Sequence, residues 1–193
     1  MKTLLITGFE PFGGEVINPS WEAVSRLPDK IGEYSIVKLC IPVVFKEAAE
    51  IVINAAKEIH PDAIISVGQA GGRDAITPEL VGINLRFASI PDNNGYKPED
   101  EKIISDGEGA YFSTLNVRGI ADAIKKYGIP SNVSYSAGAY VCNDVLYTLL
   151  YYFKCSETKV GFIHIPYSKE QNKEPSMDLS QIINGLTVAI NHI

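Results

Sequence analysis

Lys2-Thr3-Leu4-Leu5-Ile6-Thr7-Gly8 opens the chain with a nearly unbroken apolar run. A strand with one wet face alternates apolar and polar residues, whereas a run apolar at both parities marks a strand covered on both faces. Residues 62–68 and 159–165 read the same way, and residues 34–43 read as a further strand. Helical stretches lie between them. Asn18-Pro19-Ser20 opens one through Leu27, and residues 45–59 carry Ala48, Ala49, Val52, Ala55, Ala56 and Ile59 at helical spacing. Asn116 caps another that reaches Tyr127, where Gly128 ends it, and residues 140–153 and 179–191 complete the set. Residues 79–87 and 132–136 are read as two more strands. Strands alternating with helices predict an α/β domain with a largely parallel sheet and helices on both of its faces.

The 193 residues suit one well-buried domain, 1–193, rather than two. Hydrophobic residues make up 46% and charged residues 21%, an ordinary globular balance. The formal charge of −6 comes with no basic block, which argues against a nucleic-acid surface. No apolar run approaches the roughly 20 residues that span a bilayer. The N-terminal apolar stretch is too short for a signal-peptide core and is followed by Gly-Phe-Glu-Pro, so a cytoplasmic protein without membrane contact is expected. Three cysteines are an odd number, which excludes a complete internal disulfide framework and favours reduced thiols.

In open α/β sheets, sites form outside the carboxyl ends of the strands. Phe9, Gln69, the segment Gly138 to Cys142, and His164 each follow or end a predicted strand, so parallel strands would bring them to one rim. Cys142 lies in Ser136-Ala137-Gly138-Ala139-Tyr140-Val141-Cys142-Asn143, where small residues allow a tight turn from strand to helix. A lone cysteine among apolar residues usually packs as a small hydrophobe. At a helix start, however, it feels the positive end of the dipole, which favours the thiolate, and the turn keeps it partly exposed. Cys40 and Cys155 have no such turn. His164 is the base candidate by elimination: His60 precedes Pro61 at a helix end, and His192 is the penultimate residue. Glu79 could orient the imidazole, although a solvated strand-end carboxylate is the commoner role.

Phe9-Glu10-Pro11-Phe12-Gly13-Gly14 lacks the spacing of a phosphate-binding loop, and its two aromatic rings suit a flat neutral ligand better. In Gly68-Gln69-Ala70-Gly71-Gly72-Arg73 the backbone could approach a ligand closely. The His and Cys spacings form no metal cluster. Residues 88–114, rich in Pro, Asn and Gly, form a long loop that would serve assembly or cover a site.

Together these segments resemble the pyroglutamyl peptidase I family of cysteine exopeptidases. The resemblance rests on Thr7 to Gly14 with Asn18-Pro19-Ser20, Gly68 to Arg73 with Ile76-Thr77-Pro78-Glu79, and Ile90-Pro91-Asp92-Asn93 with Ala110 to Leu115. Ser136 to Asn143 and Gly161-Phe162-Ile163-His164-Ile165-Pro166 complete it. It covers essentially the whole chain in order. It implies a three-layer α/β/α sandwich, a homotetramer, no cofactor, and removal of N-terminal pyroglutamate from peptides. Carried over, Cys142 is the nucleophile, His164 the general base and acid, and Glu79 the orienting carboxylate. Phe9 and Phe12 would flank the pyroglutamyl ring, with Asn18 and Gln69 at its polar edge, Gln69 through backbone.

The chain departs from the family pattern at three places. Ser89 stands where arginine usually precedes Ile-Pro-Asp-Asn, Leu80 follows Glu79 where many members have arginine, and Tyr135 replaces a common asparagine. Arg86 or Arg73 is expected to substitute in part for the missing arginine. A glutaminase of the amidotransferase type is the alternative enzyme, and a pocket that binds without turnover is the alternative outside catalysis.

Overall fold

The N-terminal apolar run is the middle of the sheet: Leu4, Leu5 and Ile6 are wholly buried. The computed structural model describes residues 1–193. Its elements in chain order are β1 (Lys2–Phe9), α1 (Pro19–Ser25), β2 (Lys30–Ile31), β3 (Tyr34–Ile41), α2 (Glu47–Ile59), β4 (Ala63–Gln69), β5 (Thr77–Pro78) and β6 (Val81–Ile83). There follow β7 (Ala110–Phe112), α3 (Val117–Lys126), α4 (Val141–Tyr152), β8 (Lys159–Ile165), β9 (Tyr167–Ser168), β10 (Ser176–Met177) and α5 (Leu179–Ile190). A short 3-10 turn spans Lys169–Gln171.

The main sheet runs β2-β3-β1-β4-β8-β5, with β3, β1, β4 and β8 parallel and the two edge strands antiparallel. Alternate residues of each central strand enter opposite cores. Leu4, Ile6, Ile65, Val67, Ile163 and Ile165 pack with α1, α3 and α5. Leu5, Phe9, Ile64, Val160 and Phe162 pack with α2 and α4. The result is the expected single-domain α/β/α sandwich. No helix is long and apolar enough to cross a membrane.

Two strand expectations are corrected. Residues 132–136 form no strand; Ser131 and Ser134 make only isolated bridges, to Ile76 and Glu79. That stretch has a single aliphatic residue, Val133, and lies outside the edge strand β5, where no second core exists to bury it. Residues 79–87 break after Glu79: Thr77 and Pro78 pair with β8, while Val81–Ile83 leaves to pair with β7 in a separate ribbon. Helix bounds shift more modestly. α1 stops at Ser25 and not Leu27, and α2 begins at Glu47 because Lys46 takes a φ of 66°. Tyr140 and Phe153 are the caps of α4, and Asn191 the cap of α5.

Candidate active site

β1, β4 and β8 are parallel neighbours, so Phe9, Gln69 and His164 reach the same rim. The Cys142 segment arrives there without a strand of its own. Gly138 makes the turn into α4 with a φ of +76°, a conformation that L side chains rarely adopt. Cys142 then falls in the first turn of α4.

Gly68 and His164 are register partners in adjacent parallel strands, so their side-chain positions share one face. Phe162, two residues before His164, points to that face as well. Its ring lies 4.7 Å from the imidazole, centroid to centroid. The Cys142 sulfur sits over Gly68, where an added Cβ would fall 2.9 Å from Sγ. Sulfur and imidazole therefore lie on the same, α4 side of the sheet.

Glu79 comes from the edge, just past β5, with its N–H bonded to the Phe162 carbonyl at 2.9 Å. Its side chain is wholly buried, and Oε1 lies 2.7 Å from His164 Nδ1. A carboxylate only accepts, so Nδ1 carries the proton and Nε2 presents its lone pair. Glu79 Oε1 also accepts from Arg73 Nη1 at 2.6 Å. Burial works to raise the Glu79 carboxyl, but the His164 bond and charge, Ser134 and Arg73 together hold it below the usual range. The Ser134 hydroxyl itself donates to the Ser136 carbonyl, and Glu79 Oε2 has no partner.

Burial lowers the pKa of His164 more than the Glu79 contact raises it. Burial and then the Glu79 charge push the Cys142 thiol up to about 12, against the pull of Arg73 and a backbone N–H. Cys142 keeps part of its residue surface exposed, yet its sulfur is packed between Gly68 and α4. Burial thus works against charge on both the thiol and the imidazole. At Cys142 burial works against the thiolate that the helix dipole favours.

The residues expected around a ligand divide into two sets. Phe12 is half-buried, with its ring 6.3 Å from that of Tyr140, which meets Phe45 edge-on at 5.3 Å. Gln69 is half-buried too, and its Oε1 accepts from Gln171 Nε2 at 2.8 Å. Phe9 is 2% exposed and packs on Phe162. Asn18 is buried as the cap of α1: Oδ1 accepts from the Ser20 N–H and hydroxyl, and Nδ2 donates to the Glu10 carbonyl. Ser20 Oγ in turn accepts from the Phe9 N–H at 2.9 Å. Asn18 therefore shapes the Phe9–Glu10 backbone.

Sequence reasoning passed over Asn143 and Asp144. Asn143 exchanges hydrogen bonds with the backbone of Ile83 and donates to the Leu85 carbonyl. Asp144, fully buried, takes Arg86 Nε at 2.5 Å and the Lys46 N–H at 2.8 Å. Arg86 exchanges backbone bonds with Glu101, and the Phe87 N–H bonds to the Ala139 carbonyl. The two residues after Cys142 thereby fasten the long 84–102 arm beside the turn that bears Cys142. The signal was present: two adjacent polar residues in the first turn of an otherwise apolar helix. His60 and His192 lie elsewhere, as a left-handed helix cap and an exposed residue just before the C-terminal Ile193. No three His, Cys, Asp or Glu residues are grouped to hold a metal.

A model of the pyroglutamyl peptidase family matches residues 1–193. The chain is 49% identical over 192 residues to the pyrrolidone-carboxylate peptidase of Lactobacillus acidophilus, covering 97% of this chain and 96% of the relative. It is 48% identical to that of Thermococcus kodakarensis, covering 98% and 95%. Its fold superposes on crystalline pyroglutamyl peptidase I of Bacillus amyloliquefaciens with a TM-score of 0.95 and 46% identity, covering 100% of this chain and 96% of that one.

Proposed function

This chain belongs to the pyroglutamyl peptidase family of peptidases, and we propose that it cleaves N-terminal pyroglutamate from peptides by acyl transfer through Cys142, His164 and Glu79. One catalytic domain, 1–193, would carry the activity. The observation that carries this reading is the buried 2.7 Å contact between His164 Nδ1 and Glu79 Oε1, with the Cys142 sulfur on the same face of the sheet.

Glu79 fixes the imidazole so that Nε2 can take a proton. As Sγ attacks the scissile carbonyl, its proton passes to Nε2 and the carbonyl π pair moves to oxygen. No side chain caps the N-terminus of α4, so its first-turn N–H groups, including that of Cys142, are free to receive the oxyanion. Collapse breaks the C–N bond, and Nε2 gives its proton to the departing amine, leaving a pyroglutamyl thioester. Water then loses a proton to Nε2 and attacks the thioester. The C–S bond breaks, free pyroglutamate leaves, and His164 returns the proton to sulfur. Burial that opposes charge on the thiol and the imidazole fits this order, in which charge appears with substrate in place.

Pyroglutamate is a neutral lactam without an amine. Walls from Phe12 and Tyr140 above buried Phe9, with backbone partners near Gln69, match its chemistry. A glutaminase would need charged partners for the α-amine and carboxylate of its ligand. A panel of glutaminyl and pyroglutamyl reporter amides tests the reading: release from the pyroglutamyl amide alone supports it, and release from the glutaminyl amide alone overturns it. Cytoplasmic residence is supported by three free cysteines. Assembly as a homotetramer rests on the family resemblance, and light scattering on the purified protein tests it.

A further inference from the structure

Arg73 lies on the loop after β4 and sends its guanidinium beneath the acid–base pair. Nη1 donates to Glu79 Oε1 at 2.6 Å, the oxygen that also meets His164 Nδ1. The same nitrogen bonds the Thr77 hydroxyl, and Nη2 donates to the Ser136 carbonyl at 3.1 Å. Each partner belongs to a different part of the site. Glu79 orients the base. Thr77 is the register partner of His164 across β5 and β8. Ser136 begins the turn that delivers Cys142. Arg86, the other arginine near the site, is fully engaged with Asp144 and the 84–102 arm.

A wholly buried carboxylate beside a neutral imidazole carries a desolvation cost that a cation offsets. Arg73 is the cation within bonding reach of Glu79, and it keeps 28% of its side chain exposed. We infer that Arg73 is a positioning residue for the acyl transfer: it holds Glu79 as an anion aimed at His164 and ties that pair to the turn bearing the nucleophile. This rests on the triad reading above and adds to it a charge on which the pH dependence turns.

The charged and titratable groups acting on the imidazole are Glu79, past β5, and Arg73, after β4. The same two act on Cys142 across the face from α4. With sulfur and imidazole both ionised, Arg73, Glu79, His164 and Cys142 sum to zero charge. Without Arg73 they sum to −1. Loss of that cation favours imidazolium and disfavours thiolate, so the acid limb of the kcat/KM profile moves to higher pH.

The test is the pH profile of kcat and KM on a pyroglutamyl reporter amide for wild type, Arg73→Gln and Arg73→Lys, with thermal melting recorded for each. In Arg73→Gln the acid limb is expected to rise by on the order of one pH unit. Its kcat should fall roughly 100-fold, with a smaller change in KM. Arg73→Lys restores the charge without the second bond to Ser136, so its limb returns toward wild type while kcat stays low. An unmoved limb in Arg73→Gln, or a limb in Arg73→Lys displaced as far as in Arg73→Gln, overturns the inference. If Arg73→Gln does not fold, Arg73→Lys decides alone: a wild-type limb with lowered kcat supports the inference, and any other result overturns it. Failure of the triad reading is distinct, since it would appear as turnover by Cys142→Ser.

Discussion

The Cys142 sulfur occupies the space that Gly68 leaves by having no side chain: a Cβ there would lie 2.9 Å from Sγ and 2.7 Å from the Phe162 ring. The sulfur is thus seated by an absence on the neighbouring strand as much as by its own helix. Gly68→Ala should displace the sulfur or the ring and destabilise the fold by about 1–3 kcal/mol. The displacement should lower kcat/KM by roughly 100-fold. Urea unfolding and steady-state kinetics check this, and wild-type values for both would contradict it.

Burial of the thiol and the imidazole makes a second prediction. With the thiol pushed up to about 12 and His164 lowered, the free enzyme is expected to hold no preformed thiolate–imidazolium pair. The rate of Cys142 labelling by iodoacetamide should therefore keep rising above pH 9. A plateau reached below neutrality would mean that the ion pair is preformed.

Stability should fall on the acid side. His164 has a folded pKa below its ordinary 6.5, so the unfolded chain binds the extra proton first and stability is lost as pH falls through that window. Glu79 is also lowered from 4.5, which adds a further loss at lower pH. Between pH 7 and pH 5 the urea midpoint of wild type should drop more than that of His164→Gln. Equal drops would remove His164 as the cause.

Asp144 and Arg86 form a buried pair at 2.5 Å, and burial raises the Asp144 carboxyl while Arg86 pulls it down. Breaking such a pair from one side costs about 3–5 kcal/mol, whereas replacing both partners by apolar residues can be near neutral. Arg86→Met should destabilise by that amount and speed hydrogen exchange across residues 84–102. The double variant Arg86→Met/Asp144→Leu should recover much of the stability. A single variant as stable as wild type would show that the pair does not hold the arm.

The elements legible in the sequence were those whose burial is written locally. β1, β4 and β8 are apolar at both parities, and α3 has an Asn116 cap and a Gly128 stop, so they fall where pattern reading puts them. What escaped depends on distant partners. Residues 132–136 look strand-like alone, but only the edge position of β5 decides that they make bridges to Ile76 and Glu79. The Cys142 thiol looks activated from its helix, but Gly68 and Phe162, more than sixty residues before it and twenty after it, supply burial that opposes this. Asn18 carried the right type for a ligand contact, and its engagement with Ser20 and Glu10 appears only once the loop is folded. Arg73 was visible as a candidate, while its bond to Glu79 required β5 to lie against β8.

The central claim is that sulfur at position 142 performs the chemistry. Release of a reporter amine from a pyroglutamyl amide, followed for wild type and Cys142→Ser at equal folded concentration, tests it most directly. Turnover by wild type with none detectable in Cys142→Ser is the predicted result. Comparable turnover by both proteins would contradict it.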